Sequence, residues 1–465
     1  MKNIKPVVLI LNILIILIAT ATYFQGSSTL PTGYHVDHLA NTLNAFCIRL
    51  TGADEYGISW PWYLRVFDDY RPPILAYIIA LVGLFMPIDI HMARIIVLAM
   101  GFLGCALTFV FIKKSKYFDS LKIPVAGSLM FAFFLMSSWF LLPHRIAGEF
   151  SISIFFYLGL FVSTWLVIEK PSHIKFGLIN GFFVASMLYT YYGTKLFYFT
   201  HFPIILYFIY KKHGGLYNFK FTECLKAYRG FLISTLLALF LAVPTFLDIL
   251  GPKLTMQRYH VVKSQSGIAL DLNTLKKQLD PRFLFFIGDA NRRHHTGYKG
   301  QLNQFFLPFY LIGLFVMIRE IKRKNLFMTY LGITFLVSNL PVSLTNEGIP
   351  HSMRTLFCLV PIIMIIYTGY SITEKWLFNK VDPYKLLRLG FITLFIFGAF
   401  EAYNNVKYYK TETTKFDQQL WTYFSDFKPS SHPSYDDHSV SSILDRYYLS
   451  VVSGDVGYCN GTIKK

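Results

Sequence analysis

The sequence is poor in charged residues and in cysteine. Charged residues make up 15% of the 465 residues, against about a quarter in soluble domains, whereas 54% are hydrophobic. The five cysteines form no CxxC pair and show no metal-ligand spacing, which argues against a zinc domain. Cys105 and Cys358 lie in apolar runs, so we expect buried thiols. Cys47 and Cys459 would share one compartment, but the sequence does not favour a bridge between them.

Acidic residues are scarce in particular. The chain has 44 Lys and Arg but only 26 Asp and Glu, which gives a net charge of +18. The basic residues concentrate in short stretches between apolar runs, which is the positive-inside pattern of membrane proteins rather than a stripe on one folded domain. The composition therefore predicts an integral membrane protein and argues against a nucleic-acid partner.

Apolar runs recur along the chain at the length of a membrane span, which takes about 20 helical residues. They predict an all-α polytopic protein with about eleven transmembrane helices. These are placed near 6–24, 92–112, 123–142, 150–168, 176–194, 196–210, 230–250, 304–318, 326–342, 355–372 and 389–403. The first run could instead be a cleaved secretory signal, because Ala19-Thr20-Ala21 fits the cleavage pattern, but its length favours a retained helix.

One further run, 73–86, has about 14 residues and is short for a span. Counting it as a span would place Lys113, Lys114 and Lys116 outside and invert every later basic loop. We therefore assign it to a juxtamembrane helix in the first exported loop. The N-terminus is then cytoplasmic, and residues 1–403 form the membrane module. The exported segments are 25–91, 143–149, 251–303, 343–354 and a small polar tail, 404–465.

Two exported segments carry a carboxylate at the start of a helix. Asp37, Asn41 and Asn44 are spaced i, i+4, i+7, so one helix face would present a carboxylate and two amides to an acceptor hydroxyl. The alternative is that Asp37 caps the helix while the amides face water. Arg145 and Glu149, spaced i, i+4, form either an interfacial ion pair or a functional site at the membrane edge.

Cations recur on the exported side, where the positive-inside rule does not predict them. Arg292, Arg293 and His294 lie in the basic loop 286–301. Arg and Lys bind phosphate readily, so this loop predicts a phosphate site; the alternative is attraction to anionic lipid headgroups. Three further cations, each either a ligand or an interfacial anchor, are Lys195, His351 and Arg354.

Short motifs follow one another along about 320 residues. In chain order they are 33–37, 44–46, 51–57, 67–73, Arg94, 138–139 with Arg145 and Glu149, 189–195, 288–294, 300–301 and 344–354. At these positions the chain resembles bacterial membrane glycosyltransferases of the glycosyltransferase-C superfamily, similar to protein O-mannosyltransferases and lipid A aminoarabinose transferases. One departure is His38, which stands where the family has Glu after the first Asp.

The resemblance implies a glycosyltransferase-C-like fold and the inverting transfer of a sugar from a polyprenyl-phosphate carrier, on the extracytoplasmic side of a bacterial plasma membrane. Asp37 becomes the candidate catalytic base and Glu149 a second catalytic carboxylate. The donor phosphate would be bound by Arg292, Arg293, His294, Lys195, His351, Arg354 and Arg145. The acceptor or the sugar would be bound by His38, Asn41, Asn44 and Asp69.

This mechanism requires no cofactor, and the sequence shows no metal-ligand set, although a divalent metal is compatible with it. The acceptor could be a lipid, a polysaccharide or a protein. Three alternatives stay open: a transporter or flippase of a lipid-linked sugar, an oligosaccharide ligase or polymerase, and a noncatalytic scaffold. A transporter would more naturally have ionisable groups near the bilayer midplane or inverted repeats, and neither is clear in the sequence.

Overall fold

The computed structural model is mostly helical in the part of the chain that it describes. The described residues are 4–26, 34–66, 69–115, 124–213, 221–251, 272–291, 295, 299–345, 350–378, 396, 399–400, 403–404, 407, 421–422, 447–452 and 459. The α-helices are α1 (Ile4–Phe24), α2 (Val36–Thr51), α3 (Ile74–Val82), α4 (Ile90–Lys114), α5 (Pro124–Leu135), α6 (Ser138–Ile146), α7 (Ser153–Glu169), α8 (Ile174–Thr190), α9 (Lys195–His213), α10 (Phe221–Ala227), α11 (Arg229–Leu250), α12 (Leu272–Gln278), α13 (Leu307–Lys322), α14 (Leu326–Ser343) and α15 (Leu359–Phe378). The strands are β1 (Tyr34–His35), β2 (Leu64–Val66), β3 (Asp69–Arg71) and β4 (Trp421–Thr422).

Six helical segments of the described residues are long and apolar enough to cross a membrane. They are Ile90–Lys114, Glu149–Glu169, Arg229–Leu250, Gln304–Lys322, Leu326–Ser343 and Met353–Thr373. Two shorter apolar helices, Asn12–Phe24 and Ile174–Thr190, coincide with two more of the predicted spans. The chain is therefore a helical integral membrane protein. The count of eleven stays a prediction, because the last predicted span, 389–403, lies mostly outside the described residues.

Two sequence predictions concern the connections between the spans. The run 73–86 contains α3, whose nine residues extend about 14 Å, less than half of the hydrocarbon thickness, so it is not a span. The prediction of one continuous helix over 123–142 is wrong, since Ser137 is extended and separates α5 from α6. The hydroxyl of Ser137 donates to the carbonyl of Phe134 at 2.8 Å, which satisfies a carbonyl left open at the end of α5.

Glycines let pairs of helices pack backbone to backbone. A Cβ at Gly177 of α8 would lie 2.0 Å from the carbonyl oxygen of Gly230 at the start of α11, so a larger residue there would separate the two helices. The other end of α11 supports the first loop (25–91), where the hydroxyls of Tyr63 and Thr245 lie 2.8 Å apart. The closely packed pair of α8 and α11 thus supports that loop.

Short antiparallel ladders organise the first loop. Strand β2 pairs with β3, which places Leu64 opposite Arg71. Strand β1 pairs with β4 of the tail, so the segment that leads into α2 is held by residues from far along the chain. The hydroxyl of Tyr77 on α3 donates to the carbonyl of Pro61 at 3.0 Å and ties α3 to the same loop.

The cysteines form one bridge within the described residues. Cys47 of α2 forms a disulfide with Cys459 of the tail, 412 residues later. The expectation of an unbridged pair is therefore wrong, because the fold brings together two residues whose separation along the chain gave no signal. Cys105 and Cys358 are buried free thiols, as predicted.

Candidate active site

The candidate site begins at the first turn of α2. His35 caps this helix, because its Nδ1 accepts from the backbone N–H of Asp37 at 3.2 Å. A carboxylate is favoured in the first turn, where the helix dipole is positive. The helix that the i, i+4, i+7 spacing predicted is present, and it begins at Val36. Asp37 itself is largely buried and forms an ion pair with Arg71.

Arg71 reaches Asp37 from the end of the β2–β3 hairpin. Its Nη1 donates to Oδ1 of Asp37. Burial alone would lower the pKa of Arg71, but the nearby carboxylates, Asp37 foremost, outweigh the burial and raise its pKa, so the guanidinium stays charged. Glu149 and Asp69 are the other carboxylates that act on it. One cation and three carboxylates therefore form a single cluster, which we call the Arg71 cluster.

Glu149 enters the Arg71 cluster from the start of a span. It opens a 3₁₀ turn before α7, and the residue is only 5% exposed. Its Oε2 is buried and has no hydrogen-bond partner among the described residues. The predicted i, i+4 relation with Arg145 on one helix is wrong, because α6 ends at Ile146 and Ala147 is left-handed, with φ of 55°. Glu149 is therefore presented by a turn, and one of its carboxylate oxygens makes no hydrogen bond with the described residues.

The third carboxylate, Asp69, is oriented by a tyrosine. The Tyr192 hydroxyl donates to Oδ1 of Asp69 at 3.0 Å. Burial, and then the charge of Asp69, raise the pKa of Tyr192, so it remains a donor. Lys195 lies beside this pair, with Nζ 4.9 Å from the Tyr192 ring centre and 5.0 Å from that of Tyr63. It also interacts electrostatically with Asp248 and Asp69, which places a second cation next to the Arg71 cluster.

Two predicted acceptor-binding residues of α2 are buried and bonded within the fold. Asn41 Nδ2 donates to the carbonyl of Asp37 at 2.8 Å. Asn44 Nδ2 donates to Oε1 of Glu55 at 3.2 Å, and the backbone N–H of Glu55 donates to Asn44 Oδ1 at 3.1 Å. Asn44 thereby holds the loop that follows α2. The expectation of an open polar face on α2 is wrong, because that face packs inside the protein.

Two further predicted ligands, His38 and Arg145, are buried inside the protein. His38 is buried, and burial followed by the charge of Arg94 lowers its pKa, so its imidazole is neutral. Arg145 is also buried, and its Nη2 donates to the carbonyls of Tyr23 at 2.7 Å and Gln25 at 2.8 Å. A cation is favoured at the C-terminal end of a helix, so Arg145 stabilises the end of α1.

The remaining predicted cations belong to two other segments. His351 Nδ1 accepts from the backbone N–H of Arg354 at 3.4 Å, and the guanidinium of Arg354 donates to the hydroxyl of Thr345. This segment is fixed to the basic loop, since Asp289 accepts from the backbone and the hydroxyl of Ser352 at 2.9 and 3.0 Å. Arg292, Arg293 and His294 lie outside the described residues.

Arg71 and Tyr192 are the site residues that the sequence reasoning did not select. Arg71 falls in the motif 67–73, at the position where the resembled family carries Lys before two prolines. A cation directly before two prolines was the available signal, whereas nothing in the sequence showed that it would meet Asp37. Tyr192 lies in a tyrosine-rich segment, in which the pattern alone does not distinguish one hydroxyl from the next.

Comparisons with known proteins support the fold. No protein-family model matches the sequence, and no curated protein matches it. The archaeal oligosaccharyltransferase AglB from Archaeoglobus fulgidus, in complex with an inhibitory peptide and a dolichol-phosphate, superposes with a TM-score of 0.51 at 12% identity, over 95% of this chain and 64% of that protein. ArnT from Cupriavidus metallidurans bound to undecaprenyl phosphate gives 0.47 at 12% identity, over 93% of this chain and 84% of that protein.

At such low identity, the likeness to AglB shows the fold alone. The chain is therefore a helical membrane protein whose fold is similar to that of AglB. It spans 64% of the length of AglB, so the activity and the partners of the whole protein are matters of proposal. Among the described residues, no group of three His, Cys, Asp or Glu side chains is placed to hold a metal ion.

Proposed function

We propose that this protein transfers a sugar from a polyprenyl-phosphate carrier to an acceptor hydroxyl, with inversion at the anomeric carbon. The observation that carries the proposal is the ion pair between Asp37 and Arg71, on which the charges of Glu149 and Asp69 also act. A phosphate leaving group needs cations, because negative charge develops on it, and an acceptor hydroxyl needs a carboxylate base. The Arg71 cluster provides both kinds of group at one place.

In the proposed mechanism, the ion pair between Arg71 and Asp37 is present before the donor binds. A carboxylate paired with a guanidinium is a weak base, since the positive charge favours its ionised form. The carrier phosphate would compete for the guanidinium, to which it binds by bidentate donation. Donor binding would thus release Asp37 to accept a proton.

In the transfer step, Asp37 takes the hydroxyl proton of the acceptor while the acceptor oxygen bonds to the anomeric carbon. The bond from that carbon to the phosphate oxygen breaks, and its electron pair leaves with the polyprenyl phosphate. Arg71 and Lys195 stabilise the charge that develops on this phosphate. Further donor-phosphate ligands in the proposal are Arg292, Arg293, His294, His351 and Arg354.

The reaction is proposed to require no divalent metal, although one is compatible with it, because Arg71 already provides a positive charge beside Asp37. The fold supports a lipid-phosphate donor, since AglB has been observed with a dolichol-phosphate. We place the first loop and the tail on the extracytoplasmic side of a bacterial plasma membrane, with the N-terminus in the cytoplasm. The acceptor is a hydroxyl of a lipid, a polysaccharide or a protein.

The proposal is tested by the transfer of radiolabelled sugar from polyprenyl-phosphate sugars in proteoliposomes. The native protein should transfer the sugar or release it slowly to water, and Asp37→Asn should lower the rate about 100- to 10,000-fold, equivalent to about 3–5 kcal/mol of barrier. The matched control is Asp280→Asn, which removes an exposed carboxylate paired with Arg282. A carrier that crosses the bilayer with no bond cleaved, at equal rates in native protein and Asp37→Asn, would indicate a transporter instead.

A further inference from the structure

The tail meets the catalytic helix α2 at both of its ends. Strand β4 pairs with β1, so that Trp421 lies opposite His35, the residue that caps α2. At the other end, Cys459 is bonded to Cys47. The catalytic Asp37 lies ten residues before Cys47, which corresponds to about 15 Å of helix.

A third contact fixes the tail to the start of α4. The buried hydroxyl of Tyr447 accepts from the backbone N–H of Ile90 at 3.0 Å. That N–H is one of the donors left open in the first turn of α4, so the tail completes this helix end as a side-chain cap would. Cys459 is fully buried where it meets α2. The described tail residues Trp421, Tyr447 and Cys459 therefore lie against the segment before α2, the start of α4 and α2 itself.

We propose that the Cys47–Cys459 disulfide is a positioning element for Asp37, and that the protein reaches full activity only after this bond has formed. The inference rests on the proposed function for the role of Asp37. A displacement of about 1 Å in a reacting group can lower a rate about 100-fold, and α2 carries Asp37 on its first turn. The tail restrains this turn through His35, which contacts Asp37 directly.

The bond requires an oxidant on the same side of the membrane as the first loop. The two thiols lose two protons and two electrons, and a thiol–disulfide oxidoreductase in its disulfide form takes up the electrons and leaves as a dithiol. Because Cys459 follows Cys47 by 412 residues, the bond can form only after the intervening residues have been synthesised. Oxidation by an enzyme of this class therefore follows the synthesis of the membrane module. Disulfides persist in extracytoplasmic compartments, in agreement with the proposed topology.

The test compares Cys47→Ser, Cys459→Ser and the double variant with the native protein, and Cys224→Ser is the control for loss of a cysteine elsewhere. Labelling of denatured protein with a maleimide polymer counts the thiols, and native protein should show two fewer than after reduction. Transfer kinetics should show kcat lowered about tenfold in all three variants, with the donor KM within twofold of native. Dithiothreitol should lower the native kcat to the same level, reoxidation should restore it, and the variants should not respond.

If a variant fails to fold, the proposal can still be tested, because reduction of the folded native protein breaks the same bond. Hydrogen exchange at Tyr34 and His35 gives a readout that needs no transfer activity, and it should speed up on reduction if the tail releases β1. If exchange is faster after reduction but the native protein has no transferase activity, the contact between the tail and β1 is supported and the proposed function is rejected. Unchanged exchange together with native kcat after complete reduction would overturn the positioning role.

Discussion

The guanidinium of Arg71 donates to Asp37, and the charges of two other carboxylates, those of Asp69 and Glu149, also act on it. One positive charge thus interacts with three groups that carry negative charge when ionised. Removal of the cation would leave those carboxylates buried together, which is far more costly than leaving them exposed to water. The cluster is therefore built around Arg71 as much as around Asp37.

Arg71→Ala should abolish most of the transfer activity, with kcat/KM for the donor lowered about 100-fold, because a hydrogen bond between charged groups contributes about 1.5–3 kcal/mol and the phosphate loses its charge partner. Arg71→Lys should retain activity within about tenfold of native, since it keeps the charge but loses the bidentate geometry. Arg282→Ala, at an exposed ion pair, is the control. Equal activity in Arg71→Ala and native protein would remove Arg71 from the site.

Chelation should leave the native rate unchanged within about twofold, because Arg71 supplies the positive charge that a divalent ion would otherwise supply to the leaving phosphate. The measurement is transfer in proteoliposomes after treatment with EDTA on both sides, with and without added Mg²⁺ or Mn²⁺. Activity that disappears with EDTA and returns with either ion would show that a metal takes part, and the proposed role of Arg71 would then be wrong.

Much of the site's framework was predictable from spacing and charge. The helix α2 follows from Asp37, Asn41 and Asn44, and the nonspanning status of 73–86 follows from its length and from the charges of later loops. The surroundings of the side chains were not predictable, because they depend on contacts between distant segments. Asn44 finds Glu55 eleven residues later, and the amide that could have faced an acceptor binds the protein instead.

The disulfide and the ion pair illustrate the same limit. Cys47 and Cys459 are 412 residues apart, and a closed loop of that length leaves no local pattern to detect. Arg71 and Asp37 stand 34 residues apart and meet because a hairpin turns the chain back toward α2. Pairings of this kind are set by topology, whereas single-sequence reasoning captures periodicity and charge.

Asn44→Ala should destabilise the protein rather than alter acceptor recognition. The substitution removes the hydrogen bonds to Glu55 and leaves buried polar groups unsatisfied, which costs about 1–3 kcal/mol. The midpoint of thermal unfolding in detergent should fall, while the KM for the acceptor stays within about twofold of native. An unchanged midpoint with a raised acceptor KM would restore the interpretation of Asn44 as an acceptor ligand.

Asp54 provides a prediction for pH dependence outside the site. It is buried in the loop after α2, and Oδ1 accepts from the backbone N–H groups of Tyr56 at 3.0 Å and Ile58 at 2.9 Å, whereas Oδ2 has no hydrogen-bond partner among the described residues. Burial raises the pKa of Asp54 from 3.8 to about 6. Between these two values the folded protein holds a proton that the unfolded chain has lost.

Stability should therefore fall as pH rises from about 4 to about 6, and the full penalty, on the order of 3 kcal/mol, should be present above that window. Asp54→Asn keeps an oxygen for the two backbone donors but never ionises, so its unfolding midpoint should exceed that of native protein at pH 7.5 and match it near pH 4. Asp280→Asn is the control with the opposite pKa shift, because hydrogen bonds from Arg282 lower the pKa of Asp280, whereas burial raises that of Asp54. A lower midpoint for Asp54→Asn at pH 7.5 would mean that the ionised carboxylate stabilises the loop, in contradiction to the burial argument.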